Sequence, residues 1–248
     1  MIFRSLTVFV LICFSSCSSS NHEPEFGSYS IGRDSTWFPL NFQLQTPNIN
    51  AFVNAFTATI ARTQAVPMNI INVNWDELYT LLEEREYAGA FTSLPMNPAN
   101  LARYTFSQPF ILLGPVLIVP EHSSATSLET LNKNAIIGVN QFDDSVLIAQ
   151  RYPSHIIELY QNMPQALEDL VAGRIDAVLM PTLDAKALVP NLYFGILKIV
   201  TPPLSDKALR LITLRDENDE LIHHFNAGLS ELHATGQYKQ LREKFGVK

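Results

Sequence analysis

Apolar residues run through this chain at two spacings, one suited to helices and one to strands. Tyr29-Ser30-Ile31-Gly32 predicts a short strand ending at Arg33-Asp34. Phe52, Phe56 and Ile60 then recur at i, i+4 and i+8, the stripe of an amphipathic helix, with Asn50 placed to cap its start and Pro67 to stop it. Met68 to Val73 leans toward strand, Asp76 to Arg85 carries Leu78, Leu81 and Leu82 on one helical face, and Ala88 to Phe91 reads as a short buried strand. Val116 to Val119, before Pro120, is a further strand. The second half repeats the alternation. Ala135 to Val139 predicts a strand and Ser145 to Tyr152 a short helix. Leu167, Leu170 and Val171 lie between Pro164 and Gly173, with proline near the helix start and glycine just past its end. Strands follow at Ile175 to Met180 and Leu209 to Leu214, then a helix through Leu221, Phe225, Leu229 and Leu232 that stops at Gly236, and a last helix from Tyr238 to Phe245. Strand–helix alternation of this kind predicts an α/β fold with largely parallel sheets.

The first residues break the pattern. Arg4 precedes an apolar run from Leu6 to Phe14, followed by Ser15-Ser16-Cys17 and a serine tract. As a helix the run would span ~14 Å at about 1.5 Å per residue, short of a ~30 Å hydrocarbon core. A basic start, a short apolar core and small residues before a cut site form a secretory signal over residues 1–16. Phe14-Ser15-Ser16-Cys17 resembles a bacterial lipobox, which makes Cys17 the expected lipidated N-terminus and residues 17–27 a tether.

Composition narrows the classes. With 248 residues, 47% of them hydrophobic, the chain is too apolar for disorder and long enough for one large domain or two lobes. Seventeen basic residues against 24 acidic ones, a formal charge of −7, argue against a nucleic-acid binder. Cys13 and Cys17 are the two cysteines, so the body after Cys17 has no thiol chemistry and no disulfide to staple it. No cofactor is implied. Gly27 to Asp34 echoes a phosphate loop, but Arg33 and Asp34 stand where Lys and a hydroxyl residue would be needed, and no helix follows. His223 and His224 are neighbours on a helix, so their side chains diverge by about 100° and share no metal face.

Four ordered blocks carry a resemblance. Ile31 to Phe42, Tyr87 to Phe110, Ala166 to Val178 and Gly236 to Gly246 resemble the polar-amino-acid solute-binding proteins of bacterial ABC importers, over about residues 28–248. The resemblance implies a two-lobed type II periplasmic-binding fold with two hinge strands and a ligand cleft that closes by hinge motion. Residues 28–116 with 205–248 would form one lobe and 117–204 the other, with hinges near 115–120 and 203–209. It implies a monomer, lipid-anchored in the cell envelope, that takes a small molecule to a permease in the inner membrane.

Carried over by position, Asp34, Trp37 and Trp75 are cleft residues, the indoles forming walls for an apolar ligand body or else core filler. Ser93 falls in the same region. The family's grips for a zwitterion are replaced. Asn100 stands at the position of the carboxylate-binding Arg, Pro95 at that of its assisting Thr, and Pro181 at that of the Asp that meets the α-ammonium. Asn140 to Ser145 replaces a Gly/Thr-rich loop. Buried charges without partners lose several kcal/mol each, so either substitutes exist, with Arg103 as cation and Asp143 or Asp144 as anion, or the ligand is not a standard free amino acid. The leading expectation is a non-enzymatic solute receptor. The alternatives are an envelope sensor or interaction protein with a decayed pocket, and a dehydratase-type enzyme using Asp34 and Asp143.

Overall fold

The computed structural model describes residues 28–40, 42 and 45–247. The leader and the Cys17 anchor lie outside the described residues. In chain order the first elements are β1 (Tyr29–Arg33), α1 (Thr46–Thr63), β2 (Met68–Asn72), α2 (Trp75–Glu83), β3 (Gly89–Thr92), α3 (Pro98–Arg103), β4 (Tyr104–Phe106) and β5 (Ile111–Leu112). Next come β6 (Pro115–Pro120), β7 (Ile136–Asn140), α4 (Ser145–Ala149), β8 (Ile156–Tyr160), α5 (Met163–Val171), β9 (Ala177–Pro181), α6 (Thr182–Leu192) and β10 (Leu197–Ile199). The chain ends on β11 (Ala208–Leu214), α7 (Asp219–Ala234) and α8 (Gln237–Lys244).

The strands form two sheets. One runs β2-β1-β3-β11-β4, with β5 also on β11; the other runs β10-β6-β9-β7-β8. The expectation of largely parallel sheets needs correction. β2, β1 and β3 are mutually parallel, as are β9, β7 and β8, but β11 is antiparallel to β3, β4 and β5, and β6 is antiparallel to β9 and β10. β6 and β11 are the strands that follow each passage from one sheet to the other. They arrive without the helical crossover that makes neighbouring strands parallel.

The first sheet is covered by α1, α7 and α8. Phe52, Phe56, Phe91, Phe110 and Phe225 are fully buried there, with Phe56 stacked on Phe52 and Phe110 and edge-on to Phe225. The expected stripe of α1 is therefore its core face. Its start is earlier than the apolar spacing implied: the helix begins at Thr46 with Pro47 in its first turn, so Asn50 lies inside it and is not the cap. Gly173 and Gly236 both have positive φ, +69° and +74°, and stand just beyond the ends of α5 and α7.

The two connecting segments run side by side. The amides of Leu113 and Gly114 donate to the Lys207 carbonyl, and the Leu204 amide donates to the Pro115 carbonyl. A Cβ on Gly114 would sit 2.6 Å from the Ser205 carbonyl oxygen, so only glycine permits this approach. α6 also ties the sheets together: Thr182 Oγ1 donates to the Gly114 carbonyl, and Leu183 packs into the core of the first sheet.

Candidate functional site

Beyond the end of β1 the chain turns sharply, and Asp34 shapes that turn. Its Oδ1 accepts from the Thr36 amide at 3.0 Å, and its Oδ2 accepts from Thr36 Oγ1 at 2.6 Å and the Phe38 amide at 2.9 Å. A buried carboxylate that accepts three local hydrogen bonds is a loop brace. It holds Trp37 at φ +63°, a conformation costly for a bulky residue and sustained only by its surroundings. Trp37 is 4% exposed; its Nε1 donates to Asn50 Oδ1 at 2.8 Å, while Asn50 Nδ2 donates to the Ser35 carbonyl at 2.8 Å. That bond is where Asn50 spends the side chain expected at a helix cap.

Trp75 opens α2 and is only partly buried. Phe38, 57% exposed, meets it edge-on with centroids 5.6 Å apart, and Tyr79 meets it edge-on at 5.3 Å. The Tyr79 hydroxyl lies 2.6 Å from Thr92 Oγ1, and burial raises its pKa. Asp34, Trp37, Phe38, Trp75, Thr92 and Ser93 all line one small cavity of about 10 Å³. The expected Asp34, Trp37, Trp75 and Ser93 are thus brought together. A pocket for a drug-sized molecule needs roughly 300–1,000 Å³, so this wall does not enclose a ligand by itself.

Pro95, Asn100 and Arg103 are placed otherwise. Asn100 Nδ2 donates to the Pro95 carbonyl at 2.8 Å, and its amide donates to Asn97 Oδ1 at the start of α3. Arg103 is paired with Glu83, stays largely exposed, and lies 5.3 Å over the Tyr104 ring. One nitrogen of the Arg103 guanidinium, Nη2, is turned to Glu83 on α2.

Across the junction, β7 ends at Asn140, whose Oδ1 accepts from the Phe142 amide at 2.8 Å. Asp143 Oδ1 accepts from the amide and hydroxyl of Ser145, while its Oδ2 is buried without a partner. Asp144 faces the returning segment, 3.4 Å from Lys207 Nζ and 3.2 Å from Ser205 Oγ. Pro181 closes β9 opposite Pro115 and caps α6. Three residues later, Asp184 accepts from Gln45 Nε2 at 3.3 Å, a bond from the first body to the second. Burial raises the pKa of both Asp143 and Asp184, and the Asp143 charge raises Asp184 further. Asp184 went unrecognised because it follows the expected position by one helical turn; the acidic residue in the first turn after a strand was its available signal.

A cavity of about 840 Å³ lies elsewhere. Its lining includes Pro120, Ala135 and Asp176, at the opposite ends of the second sheet's strands from Asn140 and Pro181, and none of the candidate site residues.

The model for the bacterial extracellular solute-binding proteins, family 3, matches residues 29–248. The chain belongs to that family. This makes it a solute-binding protein rather than an enzyme. The L-cystine-binding protein TcyJ of Escherichia coli K12 is 23% identical over 228 residues, 91% of this chain and 85% of that protein. An L-arginine-binding protein of Pseudomonas aeruginosa is 25% identical over 232 residues, covering 87% of this chain and 86% of its own length. The L-cystine solute receptor of Neisseria gonorrhoeae, solved in an unliganded open conformation, superposes with a TM-score of 0.70 at 20% identity, over 89% of this chain and 93% of that one. The two sheets are accordingly the two lobes of a type II periplasmic-binding fold.

Proposed function

We propose that this protein is an envelope receptor of an ABC importer that takes an amino acid or amino-acid-like molecule with a positively charged side chain in the cleft between its lobes. One observation carries the reading: two partly buried carboxylates, Asp143 and Asp184, lie where the second lobe meets the first, and one oxygen of Asp143 has no partner. Burial raises the pKa of both, and the Asp143 charge raises Asp184 further, so a nearby cation offsets the like-charge repulsion and favours their ionised forms. The aromatic cluster of Trp75 and Phe38 suits the apolar part of such a ligand, and its lining contains no Lys or Arg. The relatives named for arginine and cystine fit an amino-acid-sized occupant. Closure would turn on the paired segments near 115–120 and 203–209, dividing residues 28–116 with 205–248 from 117–204. In this reading Cys17 carries the lipid, the mature protein is a periplasmic monomer, and an inner-membrane permease receives the ligand.

The test is calorimetric titration with L-arginine, L-histidine, L-cystine and L-glutamate. Saturable binding of a cationic member, weakened about tenfold or more by Asp184→Asn, is the expected result. Glutamate binding equally well would refute the cationic preference. A second reading, a sensor whose pocket has decayed, draws on Asp34, Asn100 and Arg103 all being engaged by local partners. No binding across the panel would favour it.

A further inference from the structure

The α1 side of the first lobe holds a buried cation whose hydrogen bonds all go to neutral oxygens. Arg33, the last residue of β1, is 3% exposed. Its Nε and Nη2 donate to Asn72 Oδ1 at 3.2 and 2.7 Å, and its Nη1 donates to Asn54 Oδ1 at 2.8 Å and to the Asn50 carbonyl at 3.4 Å. Every acceptor is a neutral amide oxygen. The neighbouring Asp34 makes no hydrogen bond or ion pair with it; its oxygens accept from Thr36 and Phe38. A guanidinium has five N–H donors, so one on Nη2 is left over. Burial lowers the Arg33 pKa, with the Asp34 charge opposing.

A second, separate observation lies beside it. Thr57, on α1, is 1% exposed and its hydroxyl has no hydrogen-bond partner. Two residues on, Thr59 makes the usual helical bond to the Ala55 carbonyl at 2.7 Å; Thr57 makes none. Arg33 and Thr57 line the same cavity of about 310 Å³, between α1 and the edge strand β2, together with Asn54, Asn69 and Asn72. A guanidinium bonded only to neutral oxygens and an unspent hydroxyl at one cavity lack the same thing: a directly bonded, negatively charged acceptor with several lone pairs.

We infer that this cavity binds a small oxyanion, a carboxylate or a tetrahedral phosphate or sulfate group, with Arg33 supplying charge and Thr57 a hydrogen bond. The site is outside the cleft and shares no lining residue with the aromatic cluster; Asn50, bonded to both Arg33 and Trp37, is the link between them. It does not depend on what the cleft binds.

The experiment follows the Arg33 Nε–H and the Thr57 amide by NMR in the ¹⁵N-labelled full chain. Sodium sulfate and sodium acetate are titrated separately against sodium chloride at matched ionic strength. Saturable shifts at both positions with sulfate or acetate, and none with chloride, are expected; the responding salt distinguishes a tetrahedral group from a carboxylate. Thr57→Val should weaken that binding about tenfold while keeping or raising the urea midpoint without anion, because it removes a buried unpartnered hydroxyl. Arg33→Lys keeps the charge, loses the fork, and should weaken binding further. Shifts that chloride reproduces, no saturation with either oxyanion, or unchanged affinity in Thr57→Val would each overturn the inference.

Discussion

Trp37 and Trp75 are the only tryptophans in the chain, and their surroundings predict different outcomes when each is changed. Trp37→Phe keeps a ring in the core but withdraws the indole N–H from Asn50 Oδ1. The Asn50 amide is anchored on the Ser35 carbonyl, so its oxygen cannot turn toward another donor. A buried acceptor left unpaired costs about 1–3 kcal/mol. The smaller ring adds a fraction of the about 3–5 kcal/mol lost when a buried aromatic is cut to alanine. The expected loss is about 2–4 kcal/mol of unfolding free energy, with little effect on ligand. Trp75→Ala removes two edge contacts, to Phe38 and Tyr79, each worth about 0.5–1.5 kcal/mol. Its larger consequence falls on binding, where loss of the wall should weaken the preferred ligand at least about tenfold, about 1.4 kcal/mol. Urea unfolding followed by circular dichroism reads the first quantity and calorimetric titration the second. Trp75→Ala with undiminished affinity, or Trp37→Phe with undiminished stability, would refute this division of roles.

Three other outcomes are expected. The folded state raises the pKa of Asp143 and Asp184 above their unfolded values, so stability should fall as pH climbs through the carboxylate range toward those raised values, then level off. Asp184→Asn should remove its share of that loss and be the more stable form at pH 7, while affinity for a cationic ligand in the native protein rises over the same pH interval; an identical stability–pH curve for the variant would count against the raised Asp184. Gly32→Ala would place a Cβ 2.4 Å from Tyr87 Cζ, in a ring that is 5% exposed and bonded to the Leu78 carbonyl, so about 1–3 kcal/mol should be lost in urea unfolding. A wild-type midpoint would mean that the ring moves freely. Cys17→Ser should release the protein from the membrane fraction, and its retention there would exclude the lipid anchor.

Much of the architecture was legible because it rests on local rules. The i, i+4 stripe of α1, the Pro-to-Gly frame of α5 and the apolar runs of β6 and β9 each follow from which side chains must face a core. Elements with weaker patterns escaped: β8 exposes most of its residues, and α6 carries Pro190 inside a helix. Strand direction was invisible as well, since a run such as Leu209 to Leu214 reads the same whichever way its neighbour points.

The site divides along a similar line. Asp34, Trp37, Trp75 and Ser93 could be named from the family resemblance, and the loops after β1, β2 and β3 bring them to one end of one sheet. What each side chain does was decided only in three dimensions. Asp34 braces its own turn, Trp37 is bonded to a residue thirteen positions away, and Arg103 is held by Glu83. The meeting of Gln45 with Asp184, 139 residues apart, depends on how two lobes pack. A sequence determines which groups are available and which face a core, since both follow from local periodicity. Whether a charge is free, braced or paired depends on distances between segments that no local periodicity encodes.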